Sequence, residues 1–215
     1  MSGVAIEVRG LRKTFVLHHQ GGTELPVLGN VDLDVAPGEC VVLDGPSGSG
    51  KSTLLKCVYA TYRASAGSIL MRGEGWSIDM TRASAQSVLA LRRDTVAYVS
   101  QFLRVIPRVP ALDLVAEPLT ESLGDDEIAL REAHVEAQHL LTRLRIPRRL
   151  WEIPPATFSG AEQQRINIAR SMIKPRPILL LDEPTASLDA LNRDTVVCMM
   201  KFALSRLSLR VATYS

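Results

Sequence analysis

Cysteine is scarce in this chain. The three present, Cys40, Cys57 and Cys198, lie far apart and match no metal-ligand spacing. That excludes an iron–sulfur centre and points to a reducing cytoplasm. No apolar run approaches the ~20 residues needed to cross a bilayer, and the opening MSGVAIEVRG lacks the basic-then-apolar pattern of a secretion signal. The expectation is a cytoplasmic protein without direct membrane insertion, held by something else if it works at a membrane. Charge of either sign is not in excess: 25 Lys and Arg face 23 Asp and Glu, for a net charge of +2. Nothing in that balance calls for nucleic acid or an anionic surface. Repeats, low-complexity tracts and linkers are absent too. What remains is an ordinary globular composition, 46% apolar and 22% charged over 215 residues, enough for one sizeable core with a lobe inserted into it.

Along the chain, Val4 to Val8 and Val31 to Val35 alternate as strands do, with Gly21-Gly22 as a turn between them. Cys40 to Leu43 is short and wholly apolar, which predicts a strand buried in mid-sheet, with Cys40 and Cys57 as small core residues. A helix is expected over Ser52 to Ala60, and strands over Gly67 to Met71 and Thr95 to Val99. From about 109 to 173 the pattern is helical, punctuated by prolines at 110, 118, 147, 154 and 155. Asp125-Asp126 should open a helix whose apolar stripe is Ile128, Ala133, Ala137, Leu140, Leu141 and Leu144. Ile178 to Leu181 restores an apolar strand. The reading is one α/β domain, core lobe 1–108 and 174–215, with a helical lobe at 109–173. The four histidines, 18, 19, 134 and 139, fall in the hairpin and on a helix and read as structural or surface residues.

The chemistry lies in three stretches. GPSGSGKST comprises Gly45, Pro46, Ser47, Gly48, Ser49, Gly50, Lys51, Ser52 and Thr53, and it fits G-x-x-x-x-G-K-[ST] between a strand and a helix. By chance that pattern arises on the order of once per hundred chains of this length. Its glycines let successive N–H groups face one anion, and the following helix adds its positive end. Lys51 would bridge the β- and γ-phosphates and Ser52 would ligate Mg²⁺. ILLLDE at 178–183 delivers two carboxylates at a strand's C-terminal end, Asp182 for Mg²⁺ and Glu183 as general base for the attacking water. Ser159-Gly160-Ala161-Glu162 is a capping box for a helix over 161–173, and a serine-capped helix start is also a seat for a phosphate. Phe15 reads equally as a core aromatic or a stacking partner for adenine.

In this order and spacing the motifs resemble those of ATP-binding-cassette (ABC) ATPases, from Ile6 to about Asp189. The resemblance implies a P-loop NTPase with a RecA-like core, a mixed sheet and an inserted α-helical signature subdomain. It implies ATP and Mg²⁺ as cofactors, and a head-to-tail dimer with a second cassette, itself or a relative, in which Ser159 and Gly160 act on the partner's ATP. It assigns Gln101 the place of the glutamine that senses Mg²⁺ and the attacking water. The family's second glycine after the serine is Ala161 here.

A narrower likeness lies outside those motifs. KTFVLHHQGGTELPVL at 13–28, SQFLRVIPRVPAL at 100–112 and LWEIPPATFSGAEQQRINIARS at 150–171 resemble the L-type ATP-binding subunit of the phosphonate carbon–phosphorus lyase system. This implies docking on the lyase core complex, in support of phosphonate metabolism and without cleaving the C–P bond. Two other readings stand beside it. One is the ATPase of a lipoprotein-releasing or macrolide exporter, with 103–109 contacting a coupling helix. The other is an ATP-binding switch with negligible turnover. The latter is motivated by the C-terminus, where the family's switch histidine is expected, because no histidine follows His139. Tyr214 is the nearest candidate position. The stretch from Cys198 onward leaves the subfamily pattern, as a truncated or altered frame would, and marginal stability is the matching expectation.

Overall fold

The computed structural model of the chain describes residues 5–100, 107–121, 123–124, 126–185, 193–197 and 209–213. Its elements are β1 (Ile6–Leu17), β2 (Thr23–Val35), β3 (Cys40–Leu43), α1 (Lys51–Val58), β4 (Ala66–Gly73), β5 (Trp76–Asp79), α2 (Ala85–Asp94), β6 (Val96–Val99), α3 (Ala111–Thr120), α4 (Glu127–Arg143), α5 (Gly160–Met172), β7 (Ile178–Asp182) and β8 (Leu209–Thr213). They fall into two compact units, 1–96 with 177–182 and 207–215, and 97–176 with 183–206.

The first unit holds two sheets. In one, β1 and β2 form a long antiparallel hairpin from Ile6↔Val35 to Leu17↔Thr23, and β4 and β5 extend it in the order β2-β1-β4-β5. The turn is a 3-10 segment at 18–20 followed by Gly21 and Gly22 at φ 66° and 79°, where the paired glycines were expected to bend the chain. Period-2 alternation puts Ile6, Val8, Ile69 and Met71 in the core. At the β1 bulge between Arg9 and Arg12, Gly67 (φ +88°) lets β4 approach so closely that a Cβ there would sit 2.5 Å from the Gly10 carbonyl oxygen. Asp79 closes the β4–β5 corner. Burial alone would raise its pKa, but donors from Thr81 Oγ1 (2.7 Å), Thr81 N–H (2.9 Å) and Ile69 N–H (3.4 Å) hold it below the ordinary aspartate value.

The other sheet is parallel, with β8 between β3 and β7. All five residues of β7 are buried. β3 is where the expectation fails: Cys40 is exposed and Val42 is 49% exposed. An apolar tetrapeptide has no internal mark of its neighbours, and among the described residues β3 is an edge strand that pairs with β8 alone. Cys57 is buried on α1 as expected, and burial pushes its thiol pKa up against the opposing charge of Lys13. The strand β5 and the helix α2 were not anticipated. α2 buries only Leu91, too little to leave an apolar period.

In the second unit α3, α4 and α5 pack on one another. α4 starts at Asp126, whose carboxylate accepts from the N–H groups of Ile128 and Ala129 at 3.1 Å. Ala133, Ala137, Leu140, Leu141 and Leu144 are buried as expected, but Ile128 is 72% exposed. Five residues before Ala133, it stands about 140° round the helix from the stripe. Pro118 does not break the chain either; it lies inside α3, where it has no N–H to offer the Leu114 carbonyl one turn back, and the helix runs two residues further. Without a capping side chain, the first N–H groups of α3 find the Ile153 and Trp151 carbonyls at 3.1 and 3.0 Å. The guanidinium of Arg170 on α5 pairs with Glu117 on α3. The histidines lie at the surface: His18, His19 and His139 are exposed, and His134 meets Asp113 at 2.9 Å.

α5 carries the full capping box. Ser159 Oγ accepts from Glu162 N–H at 3.3 Å, and Glu162 Oε2 accepts from the Ser159 hydroxyl (2.8 Å) and N–H (2.9 Å). These bonds, the hydroxyl first, hold the Glu162 carboxyl below the usual glutamate range. Ala161 is helical and absent from the residues with positive φ, so the missing glycine imposes no strain.

Two outcomes follow for stability. Gly67→Ala should destabilise the fold by on the order of 2 kcal/mol, a fall of roughly 5 °C or more in Tm, because neither the φ nor the opposing backbone can yield; an unchanged melt would refute the close approach. Ser159→Ala should cost about 1 kcal/mol near neutral pH. The bonds to Glu162 act only while it is ionised, so their stabilisation is present above the unfolded glutamate pKa of about 4.3 and is lost as pH falls through the lower folded value. The difference between the two melts should therefore narrow in acid, leaving the part that the bond from the Glu162 N–H to Ser159 Oγ contributes.

Candidate functional site

The glycine-rich loop runs from β3 into α1 within the first unit. Gly45, Gly48 and Gly50 all take positive φ, at 144°, 82° and 95°, which the residue-by-residue reading required for N–H groups turned to one side. Pro46 to Ser49 are exposed, so the loop is open to solvent. Asp44 Oδ1 accepts from Gly45 N–H at 2.8 Å, and Ser49 N–H donates to the Pro46 carbonyl at 3.2 Å. Lys51 folds its ammonium back onto the loop, donating to the Gly45 and Pro46 carbonyls at 2.5 and 3.2 Å. An arriving phosphate would offer that ammonium a charged acceptor in place of two neutral ones.

Ser52 and Asp182 meet. The serine hydroxyl on the first turn of α1 donates to Asp182 Oδ1 at 2.6 Å, and the carboxylate is 2% exposed at the end of β7. Two hard oxygen donors beside a phosphate-sized loop fit Mg²⁺, which takes one or two protein ligands and leaves its other positions to phosphate and water. Among the described residues no cluster of three or more His, Cys, Asp or Glu could hold a metal by itself. The donor set therefore suits a cation that comes with a nucleotide.

Phe15 sits half-buried on β1. Its ring meets Tyr62 edge-on at 5.2 Å between centroids, with Lys13 Nζ 4.6 Å above the ring centre. It is thus neither a closed core residue nor a free ring. Thr53 lies half-buried on the first turn of α1.

The second unit holds Ser159 and Gly160, both exposed at the start of α5, and Glu183. Glu183 takes the left-handed conformation, φ 48°, unusual for a residue with a side chain and a mark of functional turns. Gln101 lies outside the described residues, as do 187–189, Cys198 and Tyr214. Gln164 and Asn167, 2% and 7% exposed on α5, carry no motif of their own in the sequence.

Comparison with known proteins agrees with this geometry. The model of the family described as "ABC transporter" matches residues 28–186. The lipoprotein-releasing system ATP-binding protein LolD 2 of Caulobacter vibrioides is 41% identical over 88% of this chain and 78% of its own length. LolD of a Ruegeria species is 35% identical over 100% of this chain and 91% of its own length. Among solved structures, the dimeric post-hydrolysis state of the ATP-binding cassette MJ0796 bound to ADP and Pi superposes with a TM-score of 0.84 at 27% identity, covering 97% of this chain and 86% of that one. No helix among the described residues is long and apolar enough to cross a membrane. The fold is the α/β fold of a P-loop NTPase of cassette type, and the chain belongs to the ABC transporter family as an ATP-hydrolysing enzyme that uses ATP with Mg²⁺.

Proposed function

We propose that the chain binds ATP in the loop 45–53, hydrolyses it with Glu183 as general base, and works as one half of a two-cassette assembly. The observation that carries this reading is the paired Ser52 and Asp182 beside a loop whose three glycines are all left-handed. Backbone N–H groups of the loop hold phosphate oxygens, and Lys51 trades its carbonyl partners for the β- and γ-phosphates. Ser52 and Asp182 would hold Mg²⁺, which when bound neutralises the charge developing on the phosphates. Glu183 accepts the proton of the attacking water, with Gln101 orienting it. Phe15 offers its ring to adenine. Ser159 and Gly160 close on the ATP of a second copy or a related cassette, and the dimeric state of the structural relative supports a head-to-tail pair.

The relatives support one reading of what turnover drives: a lipoprotein-release type of assembly, in which the chain energises a membrane permease. A second reading is the phosphonate carbon–phosphorus lyase machinery, where the chain docks on the lyase core complex without breaking the C–P bond itself. Its support is the likeness at 13–28, 100–112 and 150–171. Those stretches hold Phe15, Gln101 and the Ser159 cap, and the two relatives cover 88% and 100% of the chain, so the first reading is the better supported.

Capture of purified subunits in Mg-ATP separates the two. Retention of the release-system permease, and not of the lyase core, establishes the first reading; the reverse establishes the second. The nucleotide chemistry has its own test. Lys51→Ala should weaken ATP affinity by roughly 10–100-fold in calorimetry, and unchanged affinity would remove the loop from the site. Glu183→Gln should keep ATP binding and lower phosphate release by about 10²–10⁴-fold. Equal release from both proteins would instead mean a nucleotide switch.

A further inference from the structure

Gln164 lies on the buried side of α5, five residues beyond the exposed Ser159 that caps the helix. Its side-chain amide nitrogen has two protons, and both are engaged. One bond goes to the Ser100 carbonyl at 3.2 Å and the other to the Pro184 carbonyl at 3.3 Å. Asn167, one helical turn on, donates to the same Ser100 carbonyl at 2.7 Å and to Ser100 Oγ at 3.3 Å. Pro184 directly follows Glu183, and Ser100 directly precedes Gln101. A single amide therefore ties α5 to the backbone just after the glutamate and just before the glutamine.

The geometry points to Gln164 as a positioning residue for ATP hydrolysis, holding the Pro184 carbonyl, one residue beyond Glu183, in register with the helix that begins at Ser159-Gly160. Three observations support this. Glu183 sits at φ 48°, a conformation that side-chain-bearing residues keep only when their surroundings hold them there. A carbonyl one residue away is a direct handle on that backbone, and Gln164 grips it. The grip is also costly: Gln164 is 2% exposed, and its buried Oε1 has no hydrogen-bond partner among the described residues. An apolar side chain would avoid that orphan acceptor, so packing alone is a poor reason for an amide here. The inference rests on Glu183 acting as the general base, and it adds the element that aims it. Because the same helix presents Ser159 and Gly160 at its other end, a partner cassette pressing on that end would be felt at Glu183 through this amide.

The test is Gln164→Met, which keeps the length and loses both donors, beside Asn167→Ala, which loses only the Ser100 bonds. Steady-state phosphate release from Mg-ATP should show kcat down roughly 10–100-fold in Gln164→Met with KM nearly unchanged, and a smaller loss in Asn167→Ala. Gln164→Met combined with Glu183→Gln should be no slower than Glu183→Gln alone, since the amide acts through the glutamate. Unchanged kcat in a Gln164→Met protein that merely melts earlier would overturn the assignment, and so would equal losses in the two single variants. If Glu183→Gln itself leaves turnover intact, the general-base reading has failed instead. The amide's grip then remains measurable without turnover. Deuterium uptake should rise selectively at peptides covering 98–100 and 183–185 in Gln164→Met, and a uniform rise or none refutes the grip.

Discussion

One hydrogen bond, from Ser52 Oγ to Asp182 Oδ1, spans 130 residues of sequence, and the chemistry of the first unit is arranged around it. The carboxylate is almost wholly buried at the end of a strand that is itself buried on every residue. A charge in that position is tolerable only with a partner, and the first turn of α1 supplies one. The loop before α1 is thereby held against the end of β7 with its glycines turned and its tip open. Lys51 is kept in reserve on the loop's own carbonyls, a resting place that a more strongly charged acceptor can outbid.

The second unit solves a different problem, how to hold short helices rigidly enough to aim single side chains. α3 has no capping side chain and borrows carbonyls from the 151–153 turn, where Trp151 is fixed by its indole N–H to Ile146. α5 supplies its own cap through Ser159 and Glu162 and spends its buried side on amides and an arginine as well as isoleucine. Buried polar groups cost stability unless satisfied, so their presence on this one helix marks it as a positioning element and not only a packing one.

Much of the candidate site was readable in the residues because it is made of contiguous segments with local causes. The loop 45–53, the carboxylates at the end of an apolar strand and the capping box at Ser159 each depend on neighbours a few positions away, and each stands as the residues indicated. The failures share another cause. Cys40 and Val42, two residues apart, share the exposed face of β3, which an apolar tetrapeptide does not declare. Ile128 fell off the stripe through helical phase, and Pro118 stays in α3, a helix held by its packing on α4 and α5, against its local tendency to break one.

The chain's order of residues alone determined the ligand class, the family and the candidate groups for contact with phosphate, since turn chemistry, capping and short motifs are local physics. Tertiary structure alone decided which distant groups meet: Ser52 with Asp182, Tyr62 edge-on to Phe15, and Gln164 with carbonyls 64 and 20 residues away. Those pairings depend on how strands and helices pack. A side chain such as Gln164, unremarkable in its own window, gains its role only from the backbone that folding brings against it.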